Sequence, residues 1–391
     1  MVVPKSGRKG EKMNKLKKNI ARVFILCALM TMVACGSSTT GEEMKEALTE
    51  TQVVTEETKL TAKEGEDKII IEDQLGKIIE LDGVPERVCT TIMPFPYIYY
   101  AVVGNSDNLI GCNPSSIAAY EDSALKYMYP ELANANTGFV DTDFVVNVEE
   151  LLTLQPDVVF QWNYMEDEIE KMEAAGIKVV ALQYGSQEDL ETWIRIIGKM
   201  FDKEERAEEL ITYFHENIKE VTNKTDTLTA DEIRNILIMS DNLKVSGNGY
   251  ANFWVEWAGG NNPAKELSGE QLNVNMEQIY EWNPEIIFIG NFTQMQPSDL
   301  VENKLDGQDW SVVDAVKNKE VYKIPIGGYR WDPPGVETPL MTKWVAKIQH
   351  PELFADMDMR EEVTEFYQEV YNFEMTDEIL DEILEDVQDF E

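Results

Sequence analysis

Histidine is almost missing from this 391-residue chain. There are two, His215 and His350, too few for a His-rich zinc site. Cysteine is scarce as well, with four. Basic residues are heavily outnumbered, 34 Lys and Arg against 73 Asp and Glu, for a net charge of −39. So acidic a surface repels phosphate backbones, which excludes nucleic acid as a partner, and it repels anionic lipid too. The apolar run from Val23 to Ala34 is 12 residues long, whereas spanning a bilayer takes roughly 20. Catalytic signatures are wanting: no Gly-x-Ser-x-Gly elbow follows a strand, no glycine-rich phosphate loop opens a helix, and no Cys/His pair is placed for nucleophilic work. His350 stands before Pro351 at what reads as a helix end, a place for capping rather than catalysis. Neither an enzyme nor a bound cofactor is expected.

The first segment has a different kind of information. Residues 1–34 carry eight basic residues and one acid, Glu11, and end in the apolar run. That is the layout of a secretory signal, with Met13 an alternative start to Met1. Met32-Val-Ala-Cys35 resembles a bacterial lipobox, with Met where that pattern favours Leu. It implies that Cys35 is acylated and becomes the first residue of the mature chain. Without residues 1–34, which together carry +7, the net charge is −46. Residues 36–67 have no aromatic and many Ser, Thr, Glu and Lys. Such a segment buries too little to offset ordering and reads as a disordered tether, reaching roughly 30 Å. Cys27 leaves with the signal; Cys89 and Cys112 remain, either as a disulfide, which an exported protein permits, or as two buried thiols.

About 320 residues follow the tether, enough for two domains. Short β-branched runs alternate with helical patterns: Arg87–Ile92, Leu109–Cys112, Asp157–Phe160 and Lys178–Leu182, then Asn235–Met239, Glu285–Ile289 and Glu320–Ile324. Runs of this kind separated by helices predict parallel, covered strands. Between the two blocks, Leu210, Ile211, Phe214, Ile218 and Val221 recur at helical spacing. They predict a helix over Lys203–Thr222, about 30 Å long, a rigid strut between lobes. The predicted fold is therefore α/β: two Rossmann-like lobes at 68–186 and 225–391, joined through a linking helix region at 187–224. Glu337–Gln349, Met357–Tyr371 and Thr376–Phe390 read as closing helices whose acidic outer faces are ordinary solvation.

An internal repeat ties the lobes together. Asn147-Val-Glu-Glu-Leu-Leu-Thr-Leu-Gln-Pro-Asp-Val-Val-Phe-Gln-Trp-Asn163 aligns without gaps to Asn275-Met-Glu-Gln-Ile-Tyr-Glu-Trp-Asn-Pro-Glu-Ile-Ile-Phe-Ile-Gly-Asn291. Each copy opens on an Asn cap with Glu150 or Gln278 three residues on, a capping-box pattern. Each helix stops near Pro156 or Pro284 and runs into an apolar strand.

The order tether, α/β lobe, long helix, α/β lobe is similar to the periplasmic-binding-protein family of ABC importers for iron–siderophore, haem and cobalamin. Val84-Pro-Glu-Arg-Val88, Leu151–Val159, Gly176-Ile-Lys-Val-Val180 and Trp344–Phe354 carry the resemblance over most of residues 68–375. It implies a monomeric, lipid-anchored receptor that holds a small metal complex between its lobes and docks on an ABC permease dimer with its ATPase. It also implies one docking acid per lobe, by position Glu149 and Glu277. Both would fall second in a helix's first turn, where they can meet permease arginines or merely complement the helix dipole. A lipid-anchored surface receptor or adhesin without a transport role is the alternative of another class.

Ligands of open α/β sheets sit beyond the carboxyl ends of the strands. Those ends are rich in aromatics here: Phe95, Tyr97, Trp162, Tyr164 and Tyr184 in the first lobe, Trp254, Phe292, Tyr329 and Trp331 in the second. Flat, partly polar side chains suit a bulky planar or chelated ligand, though each alone also suits a core. Tyr99 and Tyr100 are assigned to the helix that follows and its core. Arg330, between two aromatics, can pair with a carboxylate or catecholate oxygen of an iron chelate, or with Asp332 or Glu337. A ferric siderophore-type chelate leads; haem or a corrinoid follows, and an oxyanion such as molybdate is the remaining option.

Overall fold

The computed structural model describes residues 68–390 except Ser106 and Asp386. The expected signal, Cys35 and the tether lie outside the described residues. No helix among the described residues is long and apolar enough to cross a membrane.

The described chain opens with a hairpin that sequence periodicity did not predict, β1 (Ile69–Glu72) and β2 (Ile78–Leu81). Asp73 makes its turn, its Oδ1 accepting from the amides of Leu75 and Lys77. Its other oxygen accepts from Ala181 N, which pins the hairpin to the first lobe. Then come β3 (Val88–Thr90), helix α1 (Phe95–Val103), β4 (Leu109–Gly111), helix α2 (Val148–Thr153), β5 (Val158–Trp162) and β6 (Val179–Leu182). The four strands β3 to β6 form one parallel sheet in the order β4-β3-β5-β6. β5 is buried along its whole length, as a strand covered on both faces requires.

Two helices follow, α3 (Gln187–Met200) and α4 (Glu204–Thr225). The second lobe contains β7 (Arg234–Asp241), β8 (Lys244–Val245), helix α5 (Asn252–Trp257), β9 (Gly260–Asn261), β10 (Leu272–Asn273), helix α6 (Met276–Trp282), β11 (Ile286–Ile289) and β12 (Val321–Lys323). Its sheet runs β10-β8-β7-β11-β12, with β9 pairing β7. The helices α7 (Thr338–Gln349), α8 (Met359–Tyr371) and α9 (Asp377–Leu384) close the chain. The last ends well short of Phe390, which the sequence pattern had included.

The repeat is built as two copies in separate sheets. β5 is the middle of β3-β5-β6 and β11 the middle of β7-β11-β12, and in each trio the strands are parallel. The side chain of Asn147 accepts from Glu150 N, and that of Asn275 from Gln278 N. The reciprocal half of the capping box forms in neither copy: Asn147 N donates to Phe139 O, and the Gln278 amide nitrogen donates to Glu281. Each copy then places a left-handed residue before its proline, Gln155 at φ 48° and Asn283 at φ 37°.

α4 is the long helix expected between the lobes, and it packs against both of them. Its 22 residues, about 33 Å at 1.5 Å per residue, bury Ala207, Leu210, Ile211, Phe214 and Val221. These join one continuous core that contains Val88 and Phe160 of the first lobe and Ile236 and Phe288 of the second. α8 adds to the join: Tyr371 donates to Tyr97 O, and Arg206 of α4 donates to Val370 O. Cys89 and Cys112 are free and buried, and desolvation pushes each thiol up to about 12. His350 ends α7, with its ring nitrogen against Gly259 O.

Candidate functional site

The loop from Pro325 to Glu337, which follows β12, touches the first lobe at several points. The backbone amide of Ala124 donates to Gly327 O at 2.7 Å. Tyr184 donates its hydroxyl to Pro334 O. Tyr97 stacks on Tyr329 with ring centroids 5.1 Å apart. Gly335 has to be glycine here, since a Cβ would come 1.7 Å from the Tyr97 hydroxyl.

A buried carboxylate holds that loop in shape. Glu337, 1% exposed, accepts from the amides of Gly328 and Tyr329 at 2.9 and 3.0 Å and from the Tyr367 hydroxyl at 2.6 Å. Burial raises its pKa, against the pull of those donors. Glu337 is thereby taken up, and Arg330 makes no ion pair among the described residues, so neither structural pairing anticipated for Arg330 forms. Its guanidinium lies 4.6 Å from the Phe292 ring and 5.3 Å from the Tyr329 ring, while Nε donates to Asn291 O. A half-buried guanidinium in contact with two rings, with no ion pair to a carboxylate among the described residues, is suited to an anionic ligand.

The other anticipated residues divide into two groups. Phe95 packs on Phe160 at 4.2 Å and is fully buried. Trp254 and Trp331 are 1% exposed, and Trp254 donates its indole N–H to Asp332 O. These three are core. Tyr97, Tyr184 and Tyr329 form the contact between the lobes. Trp162 is buried among Phe144, Tyr164, Tyr184 and Trp193, its indole N–H without an acceptor. Tyr164 and Phe292, which occupy equivalent places in the two copies, are 63% and 46% exposed. Tyr99 and Tyr100 are core residues of α1.

Sequence reasoning overlooked three features. Lys323 is half-buried and donates to Gly290 O, Thr293 O and Met295 O, fixing the loop that carries Phe292; burial lowers its pKa to about 8. Ser240, at the end of β7, keeps a buried hydroxyl without a partner. Asp332, 6% exposed, has one such oxygen, Oδ1. Ser240 and Asp332 line a cavity of about 10 Å³ in the second lobe, the room of one water. Only the Tyr-Arg-Trp-Asp order gave a hint of Asp332.

Glu149 and Glu277 are both exposed at the second position of α2 and α6. Neither has an ion-pair partner among the described residues.

Two α/β lobes that touch through a shared loop and one core have the architecture of the two-lobed solute receptors. Residues 99–326 match the periplasmic binding protein family, to which the chain belongs. It is a substrate-binding protein of an ABC importer, from a family of extracytoplasmic, non-enzymatic receptors that work with a permease and an ATPase. A periplasmic solute-binding protein from Veillonella parvula is 37% identical and superposes with a TM-score of 0.76, covering 82% of this chain and 97% of that one. The molybdate-binding protein MolA of Haemophilus influenzae is 29% identical over 266 residues, 62% of this chain and 74% of MolA. The molybdate-bound structure of MolA gives a TM-score of 0.68 at 25% identity, over 78% of this chain and 99% of that one. The iron(3+)-hydroxamate-binding protein FhuD of Bacillus subtilis is 23% identical over 49% of this chain and 62% of its own length.

Proposed function

We propose that this receptor delivers a compact oxyanion, of the molybdate class, held where the lobes meet and gripped by Arg330. One observation carries the reading: the lobes touch directly through Tyr97–Tyr329, Tyr184–Pro334 and Ala124–Gly327, beside a guanidinium that has no carboxylate partner among the described residues. A drug-sized ligand fills roughly 300–1,000 Å³, so a siderophore would have to break all three contacts, whereas an oxyanion needs a modest parting. The kinship with MolA supports the smaller solute. A ferric chelate, the class that leads from sequence alone, is the second reading; the exposed rings of Tyr164 and Phe292, one per lobe, favour it.

Docking on the permease then falls to Glu149 and Glu277, with the body tethered through acylated Cys35. The solute test is a titration of the mature protein at about pH 6 with molybdate, tungstate and a ferric hydroxamate, read by the fluorescence of its eight tryptophans. The oxyanions are expected to bind, and Arg330→Ala to weaken them at least about tenfold, the scale of a charged hydrogen bond. Saturation by the hydroxamate with no response to either oxyanion sinks the reading.

A further inference from the structure

Phe292, whose ring carries the Arg330 guanidinium, also lines the small cavity of the second lobe, and an acid on that cavity raises a difficulty for any anion. Its walls include Asp332 and the unpartnered hydroxyl of Ser240, with Tyr250 and Gly290 beside them. Asp332 is fixed from several sides: Trp254 holds its carbonyl, and the amide of Asn291 and its own amide face its carboxyl group. Gly290 makes room for it, since a Cβ there would stand 3.0 Å from Oδ2. Oδ1 is buried without a hydrogen-bond partner among the described residues, on a residue that lines the cavity. An ionised carboxylate there would place a negative charge beside an incoming dianion, at a strongly unfavourable distance in a dry site.

Resting on the oxyanion reading, we infer that Asp332 meets the bound anion as a carboxylic acid, donating an O–H hydrogen bond from Oδ1, so that where Asp332 is ionised beforehand each anion captured takes up one proton from solvent. The surroundings fit this use. Arg330 on the same loop and Lys323 from β12 favour the ionised form. Glu270, from the segment before β10, opposes it, its charge and that of Asp332 each disfavouring the other. Tyr97 from α1, Tyr184 after β6, Tyr250 before α5 and Tyr329 on the loop also face it, all neutral phenols at ordinary pH because burial raises each. Burial outweighs the two cations, and the acid titrates at about 6. A group that must be protonated to bind gives an affinity that is flat below that value and falls above it.

Molybdate is the probe, titrated into the mature chain between about pH 5.5 and 8.5, over which it stays a dianion. Affinity is expected to fall about tenfold per pH unit above about pH 6, the slope for one linked proton. Calorimetry at about pH 8 in two buffers of different ionisation heat should register one proton taken up per anion. Asp332→Asn supplies an uncharged N–H donor, so it should bind with nearly pH-independent affinity and exceed the wild type at about pH 8. Equal wild-type affinity at pH 6 and 8 with no proton uptake overturns the inference and leaves the oxyanion reading standing. So does an Asn variant that folds, by its melting curve, yet keeps the full slope. Molybdate failing to bind at any pH removes the reading, and the inference with it.

Discussion

The two copies of the repeat agree at one end and part at the other. Their outer ends match: an Asn cap, a glutamate in the second helical position, a left-handed residue, a proline, then the middle strand of a parallel trio. At the strand's far end, Trp162 in the first lobe stands where Gly290 stands in the second. The indole fills its own strand end and packs among four aromatic rings. The glycine leaves that space to Asp332. One scaffold has thus been kept alike at the end that carries Glu149 and Glu277 and made unlike at the end where we propose that the solute sits. The first lobe offers aromatic surface; the second offers Arg330, Asp332 and a hydroxyl.

The largest effect should come from the matching end. Glu149→Ala with Glu277→Ala removes both proposed permease contacts. Each charged hydrogen bond contributes about 1.5–3 kcal/mol, so stimulation of importer ATPase should fall by over about a hundredfold while solute affinity stays unchanged. Each single variant should cost about half as much in free energy. Loss confined to one of them would break the symmetry, and unaltered uptake by the double variant would remove the docking role.

Next in size is Glu337, which has no counterpart in the first copy. Glu337→Ala leaves the amides of Gly328 and Tyr329 and the Tyr367 hydroxyl without their acceptor. Stability measured by urea denaturation should drop by about 3 kcal/mol or more. Glu337→Gln, which keeps an acceptor oxygen, should recover part of it. A loss below about 1 kcal/mol would mean that the loop is held by its lobe-to-lobe contacts instead.

Asp332→Asn comes third and changes sign from most core substitutions. Its pKa is raised from the ordinary 3.8 to about 6 in the fold, so the folded state holds the proton more tightly than the unfolded chain does. The fold therefore gains from a protonated Asp332 below about pH 4, and that gain is lost as pH rises through about 6. At 1.36 kcal/mol per pKa unit, the uncharged Asn should be more stable than Asp by about 2–3 kcal/mol at pH 8 and about equal at pH 4. Thermal melts at the two pH values decide it; equal differences at both would show that ionisation of Asp332 costs the fold nothing.

These contrasts mark what could be read before any coordinates. The covered strands were legible because β-branched runs such as Val158-Val159-Phe160 and Ile286-Ile287-Phe288 have no other economical burial. α4 was legible from its apolar stripe, although the stripe alone does not say that its partners come from both lobes. The β1–β2 hairpin escaped because its four-residue strands leave Ile70 and Ile78 exposed and its turn depends on Asp73 reaching Ala181, a contact across the fold. The aromatics were visible, but not their sorting. Phe95 and Tyr164 both follow a strand, yet one is fully buried and the other 63% exposed, because Phe95 begins α1 and packs on Phe160 whereas Tyr164 lies in a turn. Asp332 gave no sequence signal beyond its place beside Arg330, because its importance lies in a glycine 42 positions earlier.

The finest difference between the copies is at their turns. Gln155 and Asn283 each adopt left-handed backbone just before a proline, a conformation that costs most side chains about 1–2 kcal/mol and Asn rather less. The second turn is also braced by its side chain: Asn283 donates to Asp314 Oδ2 and accepts from Asp314 N, at 2.8 and 3.0 Å. The first is braced from outside, by Arg87 donating to the carbonyls of Leu154 and Gln155, bonds that no change at the Gln155 side chain disturbs. Gln155→Asn therefore tests backbone preference alone and should stabilise the protein by about 0.5 kcal/mol. Asn283→Gln changes preference and bracing together and should cost about 1–2 kcal/mol. If the two shifts come out equal and opposite, the Asp314 bonds contribute nothing, and the turns differ only in which residue nature of backbone each tolerates. If the second is larger, as the geometry requires, the copies keep one chain path by two separate means, a guanidinium on the carbonyls in one lobe and an amide on a neighbouring turn in the other.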